Sequence, residues 1–250
     1  MKTAGVIVFA IVVYVVALVA FLPATFIDRE VEKQTGGKLR FADATGTVWN
    51  GRGAIASPGS AWQIPVAFTI DKADIARGTH RISLQPVDGA TTPRGVVDVV
   101  NGGVRARDLS ADVPASALTT LLPMRGLPVA GGALAITAGV FDWTPSEGDG
   151  GMNARWRNAR LVIGESVADL GNVELALSSR TGQLSGRLTN IGGDVKIDGN
   201  LVVAGGGATT VDATIAPAAS APANVTRALA ALGTPDANGA VRIAWRGNLR

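Results

Sequence analysis

The sequence contains no cysteine, a single histidine, His80, and only 5% aromatic residues. Without cysteine it can form no disulfide framework, thiolate zinc site or thiol nucleophile. One histidine alone nearly excludes the usual ligand sets for transition metals. A serine hydrolase would need His80 as its base, but no G-x-S-x-G motif supplies the nucleophile. We therefore interpret His80 as a strand-surface residue, and we predict no metal, no cofactor and no catalytic residue.

The sequence also lacks a large excess of charge. It has 23 Lys and Arg against 20 Asp and Glu, and the basic residues are dispersed. Arg155, Arg157 and Arg160 lie around Trp156, and Arg242 and Arg246 lie around Trp245. Such alternation of cations and indoles stacks nucleic-acid bases in some proteins. Packing of Arg over Trp across strands is the favoured interpretation, and we expect no nucleic-acid partner. Only a carboxylate pair brought together by folding would leave room for an enzyme.

One long hydrophobic run is present, at residues 4–22, and it contains no charged residue. As a helix it would span roughly 28 Å, about the thickness of a hydrocarbon core. A cleaved signal peptide is the alternative, but the run exceeds the usual apolar segment of about 7–15 residues and no clean cleavage site follows. We predict a cytoplasmic head and transmembrane anchor at residues 1–24 and a periplasmic β-rich domain at residues 25–250.

The orientation of this anchor is not decided by counting charges. Lys2 precedes the run, whereas four basic residues follow it between positions 29 and 40. Basic residues tend to stay on the cytoplasmic side, so this count opposes export of the carboxy-terminal domain. This positive-inside rule weakens for long domains. The head of three residues also offers little to translocate. We therefore expect the amino terminus inside and the domain outside.

Glycine is abundant, at 32 of 250 residues, and it interrupts runs of Val, Ile and Leu. This pattern is typical of turns between many short strands. The predicted strands lie at residues 38–43, 47–56, 62–70, 80–85, 95–100, 104–111, 133–143, 154–163, 173–178, 183–190, 195–197, 201–204, 209–215 and 240–245. Asp198-Gly199, between two of them, is the strongest hairpin signal in the chain.

Helices are predicted at three places. Thr25 and Asp28 match a capping box, opening a short helix that Gly36-Gly37 would end. Two further helices are predicted at residues 115–122, between prolines, and at residues 224–232, ended by Gly233. The predicted fold is all-β, a mainly antiparallel curved sheet or sandwich with two short helices, after one transmembrane helix. A polar loop at 145–151 could separate two halves of the sheet.

Four stretches together resemble a known family. They are the head and span leading to a helix and strand; the segment 45–51 with the strand after it; the proline-flanked helix within 109–134; and the segment 223–249. The chain is similar to the type II secretion system protein N family, with looser similarity to AsmA-like envelope proteins. The motif residues that carry this resemblance are Gly46, Thr47, Trp49, Gly51, Trp62, Gly233, Pro235, Gly239 and Gly247.

The resemblance implies a non-enzymatic accessory subunit of the machinery that exports folded proteins across the outer membrane. It implies a single-pass inner-membrane location with the domain in the periplasm. The implied partners are inner-membrane and secretin subunits of that machinery. The AsmA-like alternative implies lipid binding or lipid transfer along an apolar groove. Pattern alone does not decide whether the sheet packs on itself, closes or leaves such a groove.

The most specific motif, at residues 46–51, also has a physical interpretation. Gly46 and Gly51 are expected to adopt positive φ at the two ends of a tight strand. Trp49 between them offers a large apolar area, so we expect it in the core, with a partner for its N–H. A structural role is favoured over ligand contact.

Overall fold

The computed structural model describes residues 21–72, 80–87, 93–100, 103–117, 129–163 and 166–248. The hydrophobic run at 4–22 lies almost entirely outside these residues, as does most of the predicted helix at 115–122. Within the described ranges, no helix is both long enough and apolar enough to span a bilayer.

The described strands form one antiparallel sheet in which each strand pairs with the next along the chain. They are β1 (Arg40–Gly46), β2 (Asn50–Ala56), β3 (Gln63–Ile70), β4 (His80–Gln85), β5 (Arg94–Val100), β6 (Gly103–Pro114), β7 (Val129–Trp143), β8 (Gly148–Ile163), β9 (Ser166–Arg180), β10 (Gln183–Ile191), β11 (Val195–Val203), β12 (Ala208–Pro217) and β13 (Val241–Asn248). The all-β prediction is confirmed. Of the two predicted forms, a single sheet or a sandwich, the protein adopts the single sheet. The first and last strands are not paired with each other, so the sheet is open.

The two faces of the sheet differ sharply in polarity, because residues opposite each other on neighbouring strands share a face. One row across six strands consists of Trp245, Val211, Leu201, Gly186, Leu177 and Met152. A row on the other face consists of Arg242, Thr214, Asp198, Thr189, Glu174 and Arg155. Alternation with a period of two therefore gives one apolar and one polar face.

Helix α1 (Thr25–Gln34) precedes the sheet, and it does not begin with a capping box. Its N-cap residue is Ala24, and no side chain caps it; the Asp28 carboxylate instead bonds to β1. The predicted end is confirmed, because the N–H groups of Gly36 and Gly37 donate to carbonyls of the last turn in a Schellman pattern. Helix α2 (Ala223–Leu232) ends at Gly233, as predicted.

Among the described residues, three hydrophobic clusters make up the core. Helix α1 packs on the first strands, around Phe41 and Phe68. Helix α2 packs on later strands and buries Val225 and Leu229. Between these, a third cluster around Phe141 is built from strand residues. Its Trp143 side chain donates to the Gly182 carbonyl at 3.3 Å, which joins the end of β7 to the β9–β10 turn.

Two predicted breaks in the sheet are wrong. Asp198-Gly199 does not form a hairpin but lies within the continuous strand β11, where alternate residues from Val195 to Val203 keep facing the apolar side. A Cβ on Gly199 would lie 2.8 Å from that of Ala213, so close packing requires the glycine. The polar segment 145–151 is a tight β7–β8 hairpin turn running into β8, and it separates no halves.

Candidate functional site

The motif at residues 46–51 forms the β1–β2 hairpin. Gly46 lies opposite Gly51, and the Thr47 N–H closes the loop on the Asn50 carbonyl at 2.9 Å. The Thr47 hydroxyl oxygen accepts from the N–H groups of Trp49 and Asn50 at 3.3 and 3.2 Å. The motif threonine therefore stabilises the turn by satisfying backbone donors that the loop leaves unpaired.

The two motif glycines have different roles. Gly46 has φ +87, which confirms the prediction, and a Cβ there would lie 2.5 Å from the Asn50 carbonyl oxygen. The positive φ predicted for Gly51 is wrong. Gly51 instead leaves room for the Phe68 ring, whose Cζ would lie 2.7 Å from an added Cβ. Phe68 in turn packs edge-on against Phe41, with ring centroids 5.6 Å apart.

Trp49 is not a core residue, contrary to the prediction. It lies half-buried on the hairpin loop, and the Lys72 ammonium stands 5.1 Å from the centre of its ring. The Trp49 carbonyl accepts from the Ile70 N–H at 2.8 Å, which ties the loop to the end of β3. The buried tryptophan of the amino-terminal motif is Trp62, 8% exposed, directly before β3.

The same hairpin holds the residues that follow the hydrophobic run. The Val48 N–H donates to the Leu22 carbonyl at 2.9 Å, and the Ala24 N–H donates to the Gly46 carbonyl at 3.1 Å. Pro23 lies opposite Thr47 in an isolated antiparallel bridge. Residues 22–24 therefore act as a short extra strand on the motif hairpin. No sequence pattern predicted this contact.

The carboxy-terminal motif residues shape the connection from α2 into β13. Gly233 lies close to Val241, Pro235 is exposed, and Gly239 has φ +76 in the turn before β13. The Asp236 carboxylate accepts from the N–H groups of Asn238 and Ala240 in this turn. Gly247 leaves room for the Trp245 ring, which would meet an added Cβ at 2.2 Å.

Charged residues on the polar face pair across strands. These pairs are Arg81–Asp98, Arg105–Asp142, Arg155–Glu174, Arg157–Asp112, Arg187–Asp198 and Arg242–Asp212. The Arg242 guanidinium, hydrogen-bonded to Asp212, lowers the pKa of that carboxyl. Arg155 and Arg157 lie on the face opposite Trp156, whose N–H donates to the Gly131 carbonyl, so packing of Arg over Trp is a wrong prediction here.

The arrangement does not assemble a catalytic set from the predicted candidates. His80 is exposed at the start of β4, and in the ranges described no three His, Asp or Glu side chains form a possible metal site. Two cavities, of about 570 and 260 Å³, lie against the sheet. The larger is lined by Arg94 and Asp108 and also by Leu109 and Ala138 of the third cluster, and the smaller by Arg155 and Glu174 among others.

The two edges of the sheet differ. At β1, the Asp28 carboxylate accepts the Phe41 N–H at 2.8 Å, so α1 covers the outer edge. At β13, in contrast, no described residue donates to or accepts from the outer backbone groups. An open strand edge presents a row of unpaired N–H and C=O groups to another chain.

A family model described as type II secretion system (T2SS), protein N, matches residues 37–244. The chain belongs to this family. No curated protein and no solved structure matches it. The match begins just before β1 and ends within β13, so nearly the whole sheet, including the motif hairpin, falls inside it. Membership of the protein N family associates the chain with type II secretion and protein transport.

Proposed function

We propose that this protein N family member is a non-enzymatic, single-pass inner-membrane subunit whose periplasmic sheet binds other components of the type II secretion machinery. The uncharged run at 4–22 supports the anchor, and the match over 37–244 supports the secretion role. The anchor, the periplasmic location and the absence of catalysis are parts of this proposal. By binding these components, the chain would assist assembly of the apparatus that exports folded proteins.

The open edge of β13 is the observation that carries the binding role. An extended segment of a partner subunit can add to such an edge through main-chain hydrogen bonds. The outward residues follow from register: the Ala204 N–H bonds to the Ala208 carbonyl, so the backbone groups of Ala208 point to β11. The backbone N–H and C=O of its β13 partner, Asn248, therefore point outward, away from β12. The backbone groups of the alternate residues Ala244 and Arg246 point the same way.

This binding role is tested by substituting Ala244. Ala244→Pro removes one outward N–H but leaves the bonds to β12, because edge strands tolerate proline at outward positions. Ala244→Thr is the matched control, since it keeps the N–H. We expect the proline variant, at normal protein level, to reduce both secreted substrate and crosslinking to partner subunits, and the threonine variant to do neither. Equal secretion and crosslinking in both variants would refute binding through this edge.

Lipid binding is the alternative implied by AsmA-like similarity. Both described cavities have charged residues in their lining, Arg94 and Asp108 in the larger and Arg155 and Glu174 in the smaller, so neither is the continuous apolar groove that suits a lipid chain. The apolar face instead carries packed clusters under α1 and α2. Stoichiometric lipid found by mass spectrometry of the purified protein would favour this alternative. His80→Ala should leave secretion unchanged under either hypothesis.

A further inference from the structure

The point where the chain leaves its hydrophobic run carries exposed aromatic side chains. Phe21 is 76% exposed and Phe26, in the first turn of α1, is 51% exposed. The half-buried Trp49 lies on the hairpin loop that bonds to the end of the run, since the N–H of the preceding residue, Val48, donates to the Leu22 carbonyl. Lys72 stands over the Trp49 ring. We call Phe21, Phe26, Trp49 and Lys72 the junction surface.

No flexible linker separates the run from the folded domain. Leu22 is the last residue of the run, and its carbonyl already bonds to the hairpin; Ala24 is 1% exposed and is the N-cap of α1. The helix is fixed to β1 in turn, since Arg40 donates to both Asp28 oxygens at 2.9 and 2.6 Å. A bilayer holding residues 4–22 would therefore end within a few residues of the junction surface.

The chemistry of the junction surface matches the layer between hydrocarbon and water. Tryptophan rings are enriched at the headgroup level, where one end of the ring is apolar and the other is wet. A lysine beside the ring can extend its ammonium to the phosphates while its methylene stem stays on apolar surface. Exposed phenylalanines cost free energy in water, and burial in lipid removes that cost.

We propose that the junction surface lies in the headgroup layer of the membrane and fixes the orientation of the sheet relative to it. The proposal rests on the anchor in the proposed function and deepens it. The occupant is a phospholipid bilayer, because the hydrophobic run ends at this surface. A rigid contact of this kind would hold the edge of β13 at a constant height and direction for a partner subunit.

The absence of cysteine makes a direct test simple, since one introduced cysteine can be labelled alone. Phe26→Cys carries a spin label in the full chain, reconstituted in vesicles of phosphatidylethanolamine and phosphatidylglycerol. Val167→Cys is the matched control, because Val167 is 52% exposed and lies at the opposite end of the strands. Accessibility to oxygen, which enters lipid, and to a water-soluble nickel complex gives the depth of each label.

We expect the label at position 26 to lie about 5–10 Å below the headgroup boundary, as interfacial apolar groups do, and the label at 167 to be in water. If both labels are equally open to the nickel complex while the chain resists alkaline extraction, the anchor stands and the junction proposal is overturned. If the chain is extracted from the vesicles, the anchor itself is wrong and both proposals are overturned.

Discussion

At the scale of single residues, burial separates tryptophans that look alike in the sequence. Trp156 is 9% exposed and its N–H is bonded within the core, whereas Trp49 is half-buried beneath Lys72. We therefore expect Trp49 to contribute less to the free energy of folding than Trp156 does.

Alanine substitution tests this difference. We expect Trp156→Ala to lower the free energy of unfolding by about 3–5 kcal/mol, the usual cost of deleting a buried tryptophan. Trp49→Ala should cost about 1–2 kcal/mol, since the ring is only partly buried and loses a cation–π contact. Urea unfolding followed by circular dichroism measures both values. Equal losses would show that Trp49 is a core residue after all.

Gly51 provides a second test at this scale. A methyl group there would lie 2.7 Å from the Phe68 ring and 2.9 Å from the Thr47 carbonyl oxygen. We expect Gly51→Ala to destabilise the protein by about 1–3 kcal/mol through overpacking. Gly139→Ala is the control, because an added Cβ there meets nothing within 4 Å and should change stability by no more than about 0.5 kcal/mol. Similar unfolding midpoints for the two variants would contradict the packing role.

At the scale of secondary-structure elements, one carboxylate joins α1 to β1. Asp28 accepts two hydrogen bonds from Arg40 and one from the Phe41 N–H. The hydrogen bond from Arg40 is the main cause that lowers the pKa of Asp28 below its ordinary value of 3.8. Because the folded pKa lies below the unfolded one, this carboxylate stabilises the fold fully above the unfolded value, and the stabilisation is lost as the pH falls through the folded pKa.

The pH dependence of Asp28→Asn should show this contribution. At pH 7 we expect the variant to be less stable by about 1 kcal/mol, a modest loss because Arg40 is partly exposed. The difference from the parent protein should shrink as the pH falls below 3.8 towards the lowered folded pKa, since the parent then loses the same charge. Asp43→Asn, at an exposed residue of the same strand, is the control. A stability difference that does not change with pH would show that the contact depends on packing and not on the charge of Asp28.

At the scale of the whole molecule, the two edges of the sheet and the two ends of its strands have different surroundings. Helix α1 lies at β1, residues 22–24 bond to the β1–β2 hairpin, and the open edge lies at β13. The protein would therefore extend from its anchor, with the partner-binding edge at the far side of the sheet. In the proposed function, the carboxy terminus faces the periplasm.

Reporter fusions test that topology. A reporter that works only outside the cytoplasm, fused after Arg250, should be active, and a reporter that works only in the cytoplasm should be silent at the same position. The reason is the uncharged hydrophobic run at residues 4–22, which would carry the long domain after it across the membrane. The same two reporters fused after Lys2 provide the reciprocal control. The reverse pattern would place the domain inside the cell and refute the proposed location.

Local pattern predicted much of this fold. Period-two alternation located most strands, and glycines marked the ends of α1 and α2, because these signals depend on residues close in sequence. Local pattern was wrong at Asp198-Gly199, where alternation continues through an apparent turn and cross-strand pairing with β12 overrides the turn propensity of the dipeptide. It also assigned Asp28 to a cap, although its partners, Arg40 and Phe41, lie more than ten residues away.

The sequence by itself determined the absence of cysteine chemistry, the hydrophobic run, the β-rich class and the resemblance to protein N, because composition, periodicity and motif are properties of neighbouring residues. Only the tertiary structure decided the roles of Gly51 and Trp49, the Arg–Asp pairs of the polar face and the bonding of residues 22–24 to the hairpin. Each of these depends on strand register, and a shift of one residue would exchange the two faces of a strand. Register is set by packing across the whole sheet, which no local pattern records.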